Sequence, residues 1–229
     1  MANGYEGLST LKRSGLRENT TERFVVDAGA VYVFEDLEEI TGDLSKEIPM
    51  DPDDWDDNRL GATSGGNTFE VETEWRTIDI DGIKGEVKGA RRKIAVMPQL
   101  TANVIEFSEE ALKYAFPGAD IEDWPLEEDL ETEEEASHKL FTRECNIDIA
   151  DYVDLVALVG TLSLGDDCNG EHAGEPVIFL LENGLNDQTI TMTTNDEDEI
   201  VFELTFSGHY DYDNLNAEPW KILLPKEEE

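Results

Sequence analysis

"LGATSGGNTFEVETEWRTIDIDGIKGEVKGARR", Leu60–Arg92, holds six glycines, one alternating run and a knot of bases in a chain of opposite charge. From Thr68 onwards Phe69, Val71, Thr73 and Trp75 face one way and Glu70, Glu72, Glu74 and Arg76 the other, the period of two of a strand with one apolar and one wet face. Asp81-Gly82 signals a tight turn, and Gly85 and Gly89 add flexible points. Strands resume at Arg92–Met97 and Gln99–Phe107, with Pro98 between them as the mark of an edge or a bulge.

"RFVVDAGAVYVFE", Arg23–Glu35, is rich in valine and aromatics and reads as the first strand, with Ala28-Gly29 as a bulge. Asp36–Asn67 is long, acidic and patternless; such a connection is usually functional or disordered, and it is a candidate contact loop. One helix is expected over "SEEALKYAF": Ser108 caps it, Glu109 and Glu110 favour its positive end, and Leu112, Ala115 and Phe116 form an apolar stripe. Phe107 can staple onto Leu112, and Pro117-Gly118 ends the helix.

Asp120–Glu135 holds ten acids and no base, the composition of a solvated insertion. Beyond it Tyr152–Leu164 is apolar on both faces, as in a central strand, and Val177–Leu181 is an unbroken apolar run. Thr189–Thr194 and Glu199–Gly208 both alternate, and the short acidic link between them predicts a hairpin. The expectation is a mainly β domain over 24–212 with one flanking helix near 108–116, an N-terminal arm (1–23), a long contact loop (36–67), an acidic insertion (119–136) and a C-terminal tail (213–229).

Seventeen bases against 55 acids leave a net charge of −38, spread along all 229 residues, while 39% hydrophobic content suffices for a core. Self-repulsion on this scale is tolerable where molar salt screens it, which points to a salt-loving host. It also argues against adhesion to nucleic-acid phosphates or anionic lipid. Cys145 and Cys168 are too few and too far apart for a disulfide framework. The N-terminal residues lack a signal peptide's apolar core, and no stretch is apolar enough for a membrane span, so a soluble product that stays where it is made is expected.

Chemistry is sparse. His138, His172 and His209 sit in no triad-like arrangement. "GATSG" misplaces Ser64 for a nucleophile elbow, and the loop lacks the Lys-Ser/Thr of a phosphate-binding loop. Asp51, Asp53 and Asp56, with Asp54 and Asp57, are the one weak metal candidate; an EF-hand would need glycine where Asp56 stands and glutamate where Ala62 stands. No enzyme activity and no cofactor are expected. Bases cluster instead at Lys84, Lys88, Arg91, Arg92 and Lys93, and again at Lys12, Arg13 and Arg17 in the N-terminal arm. Rare bases beside long acidic loops suit a self-association surface; the alternative is intrachain ion pairs at a strand end.

"VDAGAVYV", the Leu60–Arg92 stretch, "LTANVIEFSEEALKYAFPGA", "VALVGTL", "VIFLLENGL" and "FELTFSGHYD", in series from Val25 to Tyr212, resemble the major tail protein, or tail tube protein, of siphovirus-type tailed viruses. With its acidic composition the chain is most similar to one from a tailed virus of halophilic archaea. The resemblance implies a β-sandwich with one helix, hexameric rings whose inner strands form a continuous barrel, and rings stacked around a tape-measure protein. A tail terminator and baseplate proteins would be further partners, DNA would pass without specific binding, and the product would move from the host cytoplasm into the virion tail. Family tubes lay a long loop and terminal arms across the ring-to-ring contact, which in this chain implies Asp36–Asn67 and residues 1–23. Glu70, Glu72 and Glu74 would line the lumen, and the Lys84–Lys93 cluster would meet acid on the next subunit. Two other readings stand beside this one: a head-tail joining or terminator protein of similar fold, and a halophilic cytosolic β-domain binding a ligand or a divalent metal.

Overall fold

The computed structural model describes residues 29–35, 58–124, 138–143, 147–161, 176–192 and 200–224. Strand β1 (Ala30–Phe34) is followed by β2 (Thr68–Thr77), β3 (Arg91–Val104), helix α1 (Glu109–Ala115), β4 (Ala119–Trp124), β5 (His138–Arg143), β6 (Val153–Thr161), β7 (Pro176–Asn186), β8 (Phe202–Gly208) and β9 (Trp220–Leu223). The molecule is mainly β, with antiparallel sheets and one α-helix among the described residues.

Seven strands form the main sheet in the order β1-β6-β7-β8-β3-β2, with β9 on β7. The sheet curls so that β1 and β3 face a common core. Val31 and Val33 of β1 share one core with Leu100, Ala102 and Val104 of β3, although these strands stand far apart in the strand order. Phe202, Leu204 and Phe206 of β8 fill that core between them. The gap is bridged by the first residues of the glycine-rich stretch: Leu60 N–H donates to the Val31 carbonyl (2.9 Å), Ser64 N–H to Asn103 (2.8 Å), and Ile105 N–H to Ala62 (2.9 Å). Leu60 is itself buried. The sheet thus curls round its core, and residues 58–64, bridged to Tyr32 on one side and Val104 on the other, cover part of the edges that β1 and this end of β3 would present.

Part of the expected contact loop is therefore structural: residues 58–64 cover sheet edges. Gly61 (φ 118°), Gly65 (φ 87°) and Gly66 (φ 90°) supply the left-handed backbone this crossing needs. At Gly61 an added Cβ would also meet the Glu106 side chain at 3.0–3.3 Å, and the Glu106 carboxylate accepts from Ala62 N–H at 2.9 Å.

Other expectations are corrected by the packing. Pro98 divides nothing, because β3 is continuous through it; at Pro98 β3 has outrun β8, whose last partner is Gln99, so the proline has an open edge on one side. The acidic insertion begins as a strand: Ala119 and Ile121 alternate with exposed Asp120 and Glu122, and β4 pairs with β5 in a separate two-stranded sheet. Residues 189–192 form no strand, and the rest of the expected hairpin before residue 200 lies outside the described residues. The expected C-terminal tail contributes β9, paired with β7 from Leu181↔Trp220 to Ile178↔Leu223.

The helix forms where its cap predicts, the Ser108 hydroxyl accepting from Ala111 N–H at 3.1 Å. Its buried face is Ala111 and Ala115, with Leu112 and Phe116 half-buried. Phe107 turns its ring onto Phe202 at 5.3 Å. Strand β6 lies between β1 and β7 and is buried on both faces, as its unbroken apolar sequence requires.

Candidate functional site

The feature that stands out from this body is the β2–β3 hairpin. Beyond Gln99, β3 has β2 alone as a ladder partner, and the two strands run on to Trp75↔Lys93, Arg76↔Arg92 and Thr77↔Arg91 as an arm. A bulge between Glu74 and Trp75 turns the strand within this arm. Phe69 anchors the root, its ring 5.4 Å from Phe179 and 6.4 Å from Trp220. From Glu74 to Ile94 every residue is exposed except Thr77 and Ala90. The tip is tied by Ile78 N–H to the Ala90 carbonyl (2.8 Å) and Ala90 N–H to Val87 (3.0 Å), with Gly82, Gly85 and Gly89 at positive φ.

Three properties coincide on the arm. The outer edge of β2 has no strand partner among the described residues. Trp75, Ile78, Ile80, Ile83, Ile94 and Met97 are exposed, a density of large apolar groups that marks an interaction surface rather than ordinary surface. The charge is inverted: residues 76–93 carry six bases and three acids, a net +3 within a chain of −38.

Glu70, Glu72 and Glu74 do lie together, exposed on one face of β2 opposite Gln99, Met97 and Ala95. That face continues onto β8 in polar side chains: Thr101 and Thr205 share a hydrogen bond of 3.0 Å, and the Ser207 hydroxyl donates to Asp187 at 2.9 Å. The result is a largely polar face with an acidic margin, interrupted by exposed Met97. Of the basic cluster, Arg91 lies 3.9 Å from Glu86, and Lys93 pairs with Glu218, so these two answer to intrachain partners. Arg92 donates weakly to the Gly89 and Arg91 carbonyls at 3.4 Å. Lys84 and Lys88 have no ion pair within the described residues. Lys12, Arg13, Arg17, Asp51, Asp53, Asp56, Cys145, Cys168 and His172 lie outside the described residues.

A cavity of about 290 Å³ lies between α1, residues 150–153 and 184–186. Three of its polar groups bond one another: Lys113 donates to Glu35 at 2.7 Å and the Tyr114 hydroxyl donates to the same oxygen at 3.1 Å. Asn186 is buried but fully engaged, donating to the Ala115 carbonyl and accepting from Gln188 N–H. These contacts tie α1 to the end of β1. The Lys113 hydrogen bond holds the Glu35 carboxyl below its ordinary range against the opposing push of burial, while burial and the Glu35 charge push the Tyr114 phenol up. A lowered carboxylate stabilises the fold above its unfolded value and ceases to do so as pH falls through the folded one. Lys113→Met is therefore expected to return the Glu35 titration, followed by carbonyl NMR, to higher pH; an unmoved titration would discount the pair.

His209 is taken up structurally, its ring edge-on to Tyr152 at 5.1 Å and its Nδ1 at 3.2 Å from the Asn183 carbonyl, and His138 sits exposed at the start of β5. Among the described residues no three His, Cys, Asp or Glu side chains converge as metal ligands, and no helix is long and apolar enough to cross a membrane. No protein-family model matches the chain, and no curated protein matches it.

Proposed function

We propose that this protein is a structural subunit that assembles with copies of itself into rings and a tube of the tail-tube kind, with the β2 carboxylates toward the lumen. The observation that carries the reading is the arm: an open strand edge, a row of exposed apolar side chains and an inverted charge, projecting from the β-body. Each property is a liability in a monomer and an asset in an assembly. In a copy whose remaining surface is acidic, a basic arm finds complementary charge on every neighbour. The polar wall bearing Glu70, Glu72 and Glu74 suits a lining past which a polyanion slides without sticking, because like charge repels it and there is no aromatic platform for bases.

Negative-stain electron microscopy of the purified protein in molar potassium chloride, with mass from light scattering, tests this. Rings or hollow tubes are the expected result. A strict monomer over the whole soluble concentration range, with the tape-measure protein present as well as absent, would falsify the reading.

A further inference from the structure

We infer that the free protein pairs with a second copy through the open edge of β2, as a two-fold dimer centred on Trp75 that occupies the arm before any larger assembly forms. The dimer does not depend on the tube reading; only its consequence for ring growth does. The edge is available because β2 ends the main sheet and has no strand partner on its outer side among the described residues. Ile78 N–H is spent on the Ala90 carbonyl, on the β3 side. Ladder groups alternate along a strand, so the N–H and C=O of Thr73, Trp75 and Thr77 point the other way, to the open side.

The occupant follows from the order of side chains. Thr73-Glu74-Trp75-Arg76-Thr77, laid antiparallel on itself about Trp75, sets threonine against threonine, glutamate against arginine and tryptophan against tryptophan. Thr–Thr, opposite-charge and aromatic pairs are all stabilising across neighbouring strands. The adjacent registers fail. A slip of two residues one way sets Glu74 against Glu74, and the other way Arg76 against Arg76, and like charges directly opposite destabilise. A slip of one residue would set outward backbone groups against inward ones.

Within one copy both charges are left over. Across the arm Glu74 faces Ala95 and Arg76 faces Arg92, a like-charge pair, and neither Glu74 nor Arg76 has an ion pair among the described residues. Trp75 is 52% exposed. A second copy supplies what the first lacks: a carboxylate beside the two arginines and a ring for the indole. Glu74 and Arg76 fall at the non-hydrogen-bonded positions of the new ladder, where side chains stand closest. Five residue pairs make a contact far smaller than a permanent interface, so the dimer parts readily. Ring growth through the arm needs the same edge, and the dimer holds subunits in reserve until a growing end takes the arm up.

Charge exchange tests the pairing in the full chain, by sedimentation velocity in molar potassium chloride on the supernatant left after larger assemblies are pelleted. The parent is expected as monomer and dimer in concentration-dependent proportion. Glu74→Arg and Arg76→Glu proteins, checked for folding by circular dichroism, are each expected to dimerise about ten-fold more weakly, and their equimolar mixture to recover the dimer, since each charge then meets its opposite. Crosslinking reads the register, with Cys145 and Cys168 replaced by serine: Thr73→Cys mixed with Thr77→Cys is expected to give a covalent dimer on oxidation that neither gives alone. Undiminished single variants, a mixture that does not recover, or a covalent dimer from either cysteine variant alone overturns the two-fold register. A supernatant that is monomeric at every soluble concentration overturns the dimer. All of these outcomes leave the tube reading standing, because that reading is decided by the particles seen in the microscope.

Discussion

Phe206→Ala is expected to cost about 3–5 kcal/mol of folding stability, a large share of the ~5–15 kcal/mol that holds a domain together. Phe206 is 1% exposed at the centre of the core shared by β1, β3, β6 and β8, and its ring lies edge-on to Tyr114 at 6.4 Å. The wall around it has little room to collapse into a cavity. Gly184 and Gly208 pair directly across β7 and β8. A Cβ at Gly184 would lie 2.9 Å from Val156 and 3.1 Å from Val153, and one at Gly208 2.7 Å from Leu181. Side chains here are already at van der Waals limits, so the hole left by the ring stays a hole. Urea unfolding followed by tryptophan fluorescence checks the figure, with Tyr212→Ser as the surface control; a loss below about 1 kcal/mol would mean that the core repacks freely.

The second large effect is that of salt. Transfer from molar to about 0.1 M potassium chloride is expected to lower the urea midpoint of the folded chain and to disperse its assemblies, because the screening length grows from about 3 to about 10 Å. Successive same-face residues on a strand are about 7 Å apart, so each neighbouring pair in Glu70, Glu72 and Glu74 repels by about 0.6 kcal/mol in unscreened water. Acid outnumbers base 55 to 17, so repulsive pairs prevail over attractive ones such as Lys113–Glu35. The Glu70→Gln, Glu72→Gln, Glu74→Gln variant should lose part of that salt dependence. A midpoint that rises on dilution would show instead that the base–acid contacts dominate.

The elements legible in the sequence were those whose burial differs between faces or whose ends carry chemistry. Thr68–Thr77 was readable because its outer face is carboxylate, and α1 because Ser108 caps it. Charge concealed β4, where Ile121 alone alternates clearly among acids. The bridging segment around Leu60–Ser64 was opaque because its bonds are backbone bonds to Val31 and Asn103, partners that side-chain periodicity does not report. Thr189–Met192 alternates too, yet β7 ends at Asn186 and its pairing with β8 stops at Phe206, so periodicity alone did not make a strand there. At the candidate site the acidic row and the basic knot were visible as residues. That they occupy one projecting arm was not, since this depends on where β8 ends.

The pairing of the main sheet also sets a timetable. Val31 pairs with Leu158, 127 positions later, and Thr101 with Thr205, 104 positions later. At about 5–20 residues per second on the ribosome, β1 waits roughly 6–25 seconds for its neighbour to be made. The β2–β3 hairpin needs no such wait, because the last paired residues, Thr77 and Arg91, are only 14 positions apart and hairpins form within about 1–10 μs. The arm is therefore complete while the body that carries it is still being synthesised. During that interval the net +3 of residues 76–93 keeps like arms, within a crowd of nascent chains, apart by mutual repulsion until acidic bodies exist to receive them.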